Sequence, residues 1–270
     1  MDTLPALWAR SVDTWPDREL IVTPDRRLDY READRLSLDW ARRLVACGAG
    51  KGSRVGLLMA NGPDWVIGWL AATRIGAIAV PLSTFFQPPE LSWILRHADV
   101  EILLVERSIY GRDFVEVLET SFAEIAGRGP LRRGLAGAPF LREVLFVEAA
   151  PQWGTSLGDV EVPQGVDEVL VLALQARVSP ADLAVTLYSS GSTARPKGVL
   201  HTHGGMVRHL EQIQPYRQHE EADRVFMGMP FFWVGASSSD CSTPFSPVRP
   251  ASCPGRAPPL RSCASSPASG

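Results

Sequence analysis

Short apolar runs alternate with helix-like segments in the first part of the chain, and this alternation limits the fold more than any other feature. The runs cover residues 54–60, 77–82 and 100–105, and helix patterns begin near Asn61 and Glu90 between them. Consecutive strands that are joined by a helix lie parallel in a sheet whose two faces are both covered. The sequence therefore predicts an α/β fold with a doubly wound, mostly parallel sheet at its core.

Local signals predict further elements on either side of this core. Pro24-Asp25-Arg26 separates two apolar runs as a hairpin turn would. The pair Asp29 and Glu32 has capping-box spacing and begins a helix that we expect to end near Cys47. Three more apolar runs are predicted to be strands: residues 169–174, 183–188 and 198–203.

Composition argues against several classes of function. The 270 residues carry 27 basic and 30 acidic side chains, so a net charge of −3 gives nucleic acid or an anionic membrane no bulk attraction. No basic start followed by an apolar run is present, and we expect no signal peptide. Residues 65–82 are the most membrane-like stretch. They contain Arg74, which costs about 2.5–3.5 kcal/mol at a bilayer centre, and this favours a buried helix and strand over a transmembrane segment.

Cysteine usage favours a reducing, cytoplasmic setting. Cys47 stands alone in the body of the chain, and the other three cysteines lie within the last 30 residues. A disulfide framework needs an even set of cysteines spread through the fold, so we expect none here.

Residues 188–198 have the composition of a phosphate-binding loop. They read Y-S-S-G-S-T-A-R-P-K-G, follow an apolar run, and contain one of the two lysines of the chain. Small residues let backbone N–H groups converge on an anion, hydroxyl groups add donors, and Lys197 adds a point charge. The segment is not a Walker A loop, because Lys197 follows a proline and precedes a predicted strand rather than a helix. The alternative for a stretch rich in serine and glycine is an ordinary surface turn.

The same segment resembles the phosphate-loop signature of the adenylate-forming superfamily: acyl-CoA synthetases, luciferases and peptide-synthetase adenylation domains. The family pattern is close to Y/F-T/S-S-G-T/S-T-G-x-P-K-G-V, and this chain reads Y-S-S-G-S-T-A-R-P-K-G-V-L-H-T-H. Four other segments are similar to family patterns: residues 28–32, 51–55, 76–82 and 223–235. The resemblance covers residues 1–235 and identifies them as a partial AMP-binding (adenylation) domain, about the first half of such an enzyme.

The resemblance implies an AMP-forming ligase that activates a carboxylic acid, fatty or aryl, with ATP and then transfers the acyl group to CoA. It assigns the β- and γ-phosphates of ATP to the loop, and Thr193 is also a candidate contact to Mg²⁺. The implied phosphate-binding residues are Ser189, Ser190, Gly191, Ser192, Thr193, Lys197 and Gly198. Trp233 stands where some relatives carry histidine; it is a candidate wall of the acyl pocket and favours an apolar acid. Ala194 stands where the family usually has glycine, and a positive φ there would cost alanine about 1–2 kcal/mol.

Other residues that the family uses are missing from these 270 residues. They are the glutamate of a Y-G-x-T-E motif that helps to hold Mg²⁺, an aspartate for the ribose, a hinge arginine and a lysine of a small C-terminal domain. We therefore expect a truncated N-terminal adenylation domain that lacks the C-terminal domain, has no assignable catalytic residue and does not complete the reaction. The alternative is a non-catalytic remnant or a nucleotide-binding fragment. The acid and the oligomeric state stay open.

The composition changes abruptly after Gly235. Residues 236–270 consist mostly of Ser, Pro, Ala, Cys and Arg, and no acidic residue follows Asp240. Such a segment cannot bury enough apolar surface to offset its loss of conformational entropy, which predicts a disordered tail. A frameshift near codon 236 is the other hypothesis, because the codons of the tail also permit a frame that resembles the family's continuation.

Two histidines near the loop, His201 and His203, are two residues apart and would share one face of the predicted strand. A protein metal site needs at least a third ligand, and the sequence offers no partner at a usable spacing. We therefore interpret both as ordinary strand histidines.

Overall fold

Helices and strands alternate along the residues that the computed structural model describes: 2–131, 134–189, 196–217, 224–233 and 251–252. The helices are α1 (Leu4–Thr14), α2 (Tyr30–Ala46), α3 (Pro63–Arg74), α4 (Pro88–His97), α5 (Phe114–Ser121), α6 (Glu168–Ala176) and α7 (His203–Arg217). The strands are β1 (Glu19–Val22), β2 (Arg27–Asp29), β3 (Arg54–Leu58), β4 (Ile78–Pro81), β5 (Ile102–Val105), β6 (Ser108–Ile109), β7 (Arg112–Asp113), β8 (Glu143–Phe146), β9 (Thr155–Ser156), β10 (Leu183–Ser189), β11 (Lys197–Thr202), β12 (Val225–Phe226) and β13 (Ala251–Ser252).

Seven strands of the described ranges form the main sheet, in the order β11-β10-β4-β3-β5-β8-β9. Neighbouring strands run parallel, except that β10 and β11 form an antiparallel hairpin. Helix α3 connects β3 to β4, and α4 then carries the chain back past β3 to β5, so the direction of winding reverses between β3 and β5. The predicted doubly wound, mostly parallel sheet is confirmed.

Side chains of the central strands alternate between two hydrophobic cores, one on each face of the sheet. On β5, Ile102 and Leu104 belong to the first core, whereas Leu103 and Val105 belong to the second. Helices α1, α2, α3, α6 and α7 contribute to the first core, and α4 and α5 contribute to the second. Burial on both faces is the reason that these strands have nearly continuous apolar sequences.

Helix α3 is buried on all sides, which explains its membrane-like composition. All of its residues except Asp64 are buried. Arg74, near its C-terminal end, is 3% exposed; its guanidinium forms an ion pair with the Asp34 carboxylate and donates to the Asp34 carbonyl at 3.1 Å. These partners matter because a buried charge without a partner is strongly destabilising. In the part of the chain that the structure describes, no helix is long and apolar enough to cross a membrane.

The predicted N-terminal hairpin and helix are confirmed. Strands β1 and β2 pair antiparallel on either side of the predicted turn. The Asp29 carboxylate accepts the N–H of Glu32 at 2.7 Å and thereby caps α2. This helix ends at Ala46, next to the predicted end at Cys47.

Two predictions of secondary structure need correction. Residues 169–174 are not a strand but lie in α6, where the Asp167 carboxylate accepts the N–H of Leu170 at 2.8 Å and caps the helix. A short aliphatic run fits either a strand or a helix, and only the cap decides between them here. The predicted strand 198–203 ends at Thr202, and His203 begins α7, so His201 and His203 do not share one face of a strand.

A second sheet combines the N-terminal hairpin with two strands from late in the chain, in the order β12-β13-β1-β2. Strand β13 pairs parallel with both β1 and β12. Apart from β13, residues 236–270 lie outside the described residues. The domain boundary at residue 235, and the disorder or frameshift of the tail beyond it, therefore stay predictions. Strands β6 and β7 form a separate antiparallel pair.

Candidate functional site

The carboxyl ends of the parallel strands meet at one edge of the main sheet. Strands β3, β4, β5 and β10 run in the same direction, so the residues after Leu58, Pro81, Val105 and Ser189 lie along this edge. In doubly wound sheets, ligands bind outside the carboxyl ends of the strands, where the winding reverses. The predicted phosphate loop leaves β10 at this edge.

The predicted phosphate loop joins two paired strands. The register of β10 and β11 pairs Ser189 with Lys197 and Tyr188 with Gly198, so three of the predicted phosphate-binding residues lie together at the root of the loop. Lys197 is exposed and forms no ion pair with a described residue. The other four, Ser190, Gly191, Ser192 and Thr193, lie outside the described residues, and their contacts to phosphate and Mg²⁺ stay predictions.

One strand of this hairpin is buried and the other is exposed. Ala184, Val185 and Leu187 of β10 are buried in the first core. Val199 and Leu200 of β11 are 44% and 58% exposed, because β11 is the edge strand of the sheet. Ser189 therefore lies at the end of a buried strand, whereas Lys197 and Gly198 begin the returning strand, which faces solvent.

The ring of Tyr188 lies against the backbone of Gly198. A Cβ atom at Gly198 would lie 3.2 Å from Tyr188 Cζ and 3.2 Å from Thr186 Cγ2, so a larger residue would displace one of these side chains. Tyr188 Oη lies 2.8 Å from His97 Nδ1. Burial raises the pKa of Tyr188 to about 12, with a further contribution from Asp99, so the hydroxyl group is protonated at neutral pH.

Asn61 holds the segment around Pro230 against the same edge of the sheet. Its Nδ2 donates to the Met229 carbonyl and its Oδ1 accepts the N–H of Phe231, each at 2.7 Å. The Phe231 ring packs edge-on against Trp65 of α3, with ring centroids 5.2 Å apart. Two hydrogen bonds and a buried ring therefore fix this distant segment beside the end of β3.

Trp233, at the end of that segment, lines a cavity beside the phosphate-loop hairpin. It is 51% exposed and lies edge-on to Phe232, whose ring makes the same kind of contact with Phe85. The cavity has a volume of about 160 Å³ and is lined by Pro81, Ser83, Phe86, Glu90, Tyr188, Pro196, Phe232 and Trp233. A neighbouring cavity of about 310 Å³ is lined by Met59, Ala60, Asn61, Thr84, Phe85, Tyr110, Met227, Gly228, Pro230 and Phe232. The assignment of Trp233 to an acyl pocket stays a prediction.

Glu106, which sequence reasoning missed, lies where the winding of the sheet reverses. It directly follows β5, and its Oε2 accepts the N–H of Ala60 beyond the end of β3 at 3.0 Å. Burial raises the pKa of Glu106 to about 7; the Ala60 N–H opposes this rise, whereas Asp64 and Glu148 add to it. An acidic residue directly after a buried strand is the sequence signal that could have identified it.

The two histidines near the loop are not arranged as metal ligands. His201 lies in β11, and His203 is fully buried at the start of α7, where burial lowers its pKa to about 4 and keeps the ring neutral. Within the described ranges, no group of three His, Cys, Asp or Glu side chains could hold a metal ion. The exposed ammonium group of Lys197 favours an anion rather than a metal ion at this place.

The family of the chain follows from residues 8–246, which match the family model of the AMP-binding enzyme. This chain belongs to that family. The matched range includes the phosphate-loop hairpin, Asn61 and Trp233, and the resemblance inferred from the sequence is confirmed.

Curated relatives with similar sequences are named as CoA ligases. The chain is 30% identical to the 3-hydroxybenzoate–CoA ligase of Aromatoleum sp. (strain CIB), a match that covers 80% of this chain and 37% of that protein. It is 29% identical to the long-chain-fatty-acid–CoA ligase FadD13 of Mycobacterium tuberculosis (strain ATCC 25618 / H37Rv), over 82% of this chain and 39% of that protein. The chain therefore spans less than half of the length of these relatives.

Solved structures of AMP-binding enzymes share the fold. The anthranilate CoA ligase AuaEII, in complex with anthranoyl-AMP, matches with a TM-score of 0.75 and 22% identity over 95% of this chain and 45% of that one. The inhibitor-bound N-terminal domain of FACL13 from Mycobacterium tuberculosis matches with a TM-score of 0.71 and 21% identity over 96% of this chain and 58% of that one. At these identities the likeness shows the fold, which is that of the N-terminal part of an AMP-binding enzyme.

Proposed function

We propose that this chain is the phosphate-binding part of an AMP-forming acyl-CoA ligase. In this reaction the carboxylate of an acid attacks the α-phosphate of ATP and pyrophosphate leaves. The CoA thiol then attacks the acyl carbon of the adenylate, and AMP leaves. The observation that carries the proposal is the hairpin, in which Ser189, Lys197 and Gly198 lie together at the carboxyl edge of the sheet. Lys197 is exposed and forms no ion pair within the described residues, and its ammonium group is the kind of cation that binds phosphate.

The loop would hold the β- and γ-phosphates as pyrophosphate departs. Charge accumulates on the leaving group during phosphoryl chemistry, so positioned cations and N–H groups are large electrostatic contributions. Lys197 supplies the cation, Ser189, Ser190, Ser192 and Thr193 supply hydroxyl groups, and Gly191 and Gly198 let the backbone approach the anion. Thr193 would also contact Mg²⁺.

The acid is proposed to be fatty or aryl, with CoA as the acceptor. The names of the relatives support this choice, because they include a 3-hydroxybenzoate–CoA ligase and a long-chain-fatty-acid–CoA ligase. The aromatic side chains Phe232 and Trp233 beside the hairpin also support an acid with an apolar body.

We further propose that these 270 residues bind a triphosphate but do not complete adenylation by themselves. The Y-G-x-T-E motif, whose glutamate helps to hold Mg²⁺ in the family, does not occur in the sequence. Because the cation offsets negative charge on both the phosphate and the carboxylate, its loss removes a large part of the catalytic effect.

Lys197→Ala tests the phosphate-binding role. Titration calorimetry of the 270-residue protein with Mg·ATP and with tripolyphosphate should show affinities at least about tenfold weaker in the variant, because a hydrogen bond from a charged group contributes about 1.5–3 kcal/mol. Lys197→Arg, which keeps the charge, should retain part of the affinity.

Lys51→Ala is the matched control, since Lys51 is the other lysine of the chain. Its Nζ forms an ion pair with Asp182 at 2.7 Å and donates to the Arg177 carbonyl at 3.2 Å, and Asp182 precedes β10 at the end opposite to the loop. Both alanine variants lose one positive charge, so equal losses of affinity would mean that net charge and not the hairpin binds the anion, and the proposal would fail.

ATP–pyrophosphate exchange with fatty and aryl acids tests the catalytic part. We expect no exchange from the 270 residues alone. Acid-dependent exchange that disappears in Lys197→Ala would overturn the claim that they are incomplete and would at the same time identify the acid.

A further inference from the structure

Three aromatic rings connect α4 to the root of the phosphate-loop hairpin. His97 is the last residue of α4, and its Nδ1 lies 2.8 Å from Tyr188 Oη. Trp93, one helical turn earlier, stacks on the His97 ring with centroids 4.5 Å apart. The Tyr188 ring stands edge-on to both, at 6.4 Å from Trp93 and 5.8 Å from His97. Helix α4 therefore contacts the hairpin through one polar bond and two ring contacts.

These contacts act where the strand ladder gives little support. The pairing of β10 with β4 joins Val185 to Ala79, three residues before Tyr188. Beyond that pair, β10 is bonded to β11, which is an exposed edge strand. The end of the hairpin that carries Ser189 and Lys197 therefore depends on side-chain contacts for its position relative to the sheet.

Tyr188 connects the contacts of α4 to the residues of the candidate site. Its ring lies against Gly198, its register partner, at a distance that leaves no room for a Cβ atom without displacement. Ser189 follows Tyr188 directly, and Lys197 precedes Gly198 directly. A rotation of the Tyr188 ring would therefore shift both strands at the root of the loop.

We propose that His97 is a positioning residue for the phosphate-binding hairpin: its hydrogen bond holds the Tyr188 ring over Gly198 and so orients Ser189 and Lys197. The bond forms in either neutral tautomer of His97, since the phenol can donate to Nδ1 or accept from it. The inference deepens the proposed function and rests on it for the identity of the ligand, whereas the anchoring of the hairpin can be measured without a ligand.

The test compares His97→Phe, Tyr188→Phe and the double variant in the 270-residue protein. His97→Phe keeps a ring to stack on Trp93 and removes the hydrogen bond, and Tyr188→Phe removes the same bond from the other side. Each single variant should bind tripolyphosphate about two- to tenfold more weakly than wild type. The double variant should bind no more weakly than either single variant, because all three variants lose the same hydrogen bond between His97 and Tyr188. His97→Asn, whose amide lies where Nδ1 does, should restore the affinity.

Hydrogen exchange without ligand gives an independent measurement. Backbone amides of residues 186–189 and 197–200 should exchange faster in His97→Phe and return to the wild-type rate in His97→Asn. His209→Phe, the same substitution at an exposed histidine of α7, should change neither exchange nor affinity.

The outcomes separate this inference from the proposed function. If Lys197→Ala abolishes tripolyphosphate binding while His97→Phe changes neither affinity nor exchange, His97 has no positioning role and phosphate binding stands. If Lys197→Ala has no effect, the proposed function fails. Faster hydrogen exchange in His97→Phe would then still support the positioning role of His97. Unchanged exchange would overturn that role as well.

Discussion

At the scale of single residues, Glu106 is the acidic residue whose pKa is shifted furthest along the edge of the sheet where the parallel strands end. Its pKa of about 7 means that the folded state binds a proton more tightly than the unfolded chain, where a glutamate has a pKa near 4.5. Protonation of Glu106 therefore contributes to stability fully below about pH 4.5, and this contribution is lost as the pH rises toward 7. The same group bridges β3 and β5 through its bond to Ala60.

Glu106→Gln removes the charge and keeps an acceptor for the Ala60 N–H. The free energy of unfolding of the variant, relative to wild type, should rise by about 2–3 kcal/mol between about pH 5 and about pH 8, because only wild type must ionise a buried carboxyl group. Urea titrations at the two pH values measure this difference. A difference that does not change with pH would mean that Glu106 titrates as an exposed glutamate.

At the scale of elements, one side chain joins two segments that lie about 170 residues apart in sequence. Asn61 is the single asparagine of the chain, and it bonds the backbone on both sides of Pro230. Asn61→Ala should lower the free energy of unfolding by about 1–3 kcal/mol, since two hydrogen bonds to part-buried backbone groups are lost. Hydrogen exchange at residues 227–233 should become faster, and exchange in α2 should not change. Equally faster hydrogen exchange at residues 227–233 and in α2 would indicate that the substitution destabilises the whole fold instead.

Sequence patterns predicted the elements that have local signals. The hairpin of β1 and β2, the cap at Asp29 and the alternation from β3 to β5 all depend on residues a few positions apart, and all are confirmed. The aliphatic run in α6 was misassigned because its periodicity is ambiguous over so few residues.

The site was predictable only where a motif is contiguous. The loop string predicted Ser189, Lys197 and Gly198 as phosphate-binding residues, and the structure places them together at the root of the hairpin. Their binding of phosphate stays a prediction. Asn61 and His97 could not be found in this way, because their partners lie about 170 and about 90 residues away in sequence. Hydrogen bonds of that kind exist only after the sheet has brought the carboxyl ends of several strands together.

At the scale of the whole molecule, we expect the exposed edge of the main sheet to govern self-association. Strand β11 lies at the edge of the described part of the main sheet and presents Val199 and Leu200 to solvent. An apolar edge strand is a template for pairing with another chain, so the purified 270-residue protein should self-associate.

Leu200→Lys should shift the protein toward monomer in sedimentation velocity experiments over a range of concentrations. A lysine on an edge strand opposes strand pairing by charge repulsion and by desolvation cost. Leu172→Lys on α6 is the matched control, because Leu172 is 51% exposed but lies on a helix. Equal effects of the two lysines would show that net charge controls association rather than the strand edge.

The antiparallel pair at the margin of an otherwise parallel sheet also affects the order of folding. The strands β10 and β11 are neighbours in sequence, so their register requires closure of a short loop only. The pairing of Val185 with Ala79 joins residues about a hundred positions apart, so it carries most of the loop-closure entropy that is lost when β10 joins the sheet. We therefore expect the hairpin of β10 and β11 to acquire its internal register early, during synthesis, and to acquire its place beside Trp93 and His97 of α4 only when the slower long-range docking is complete.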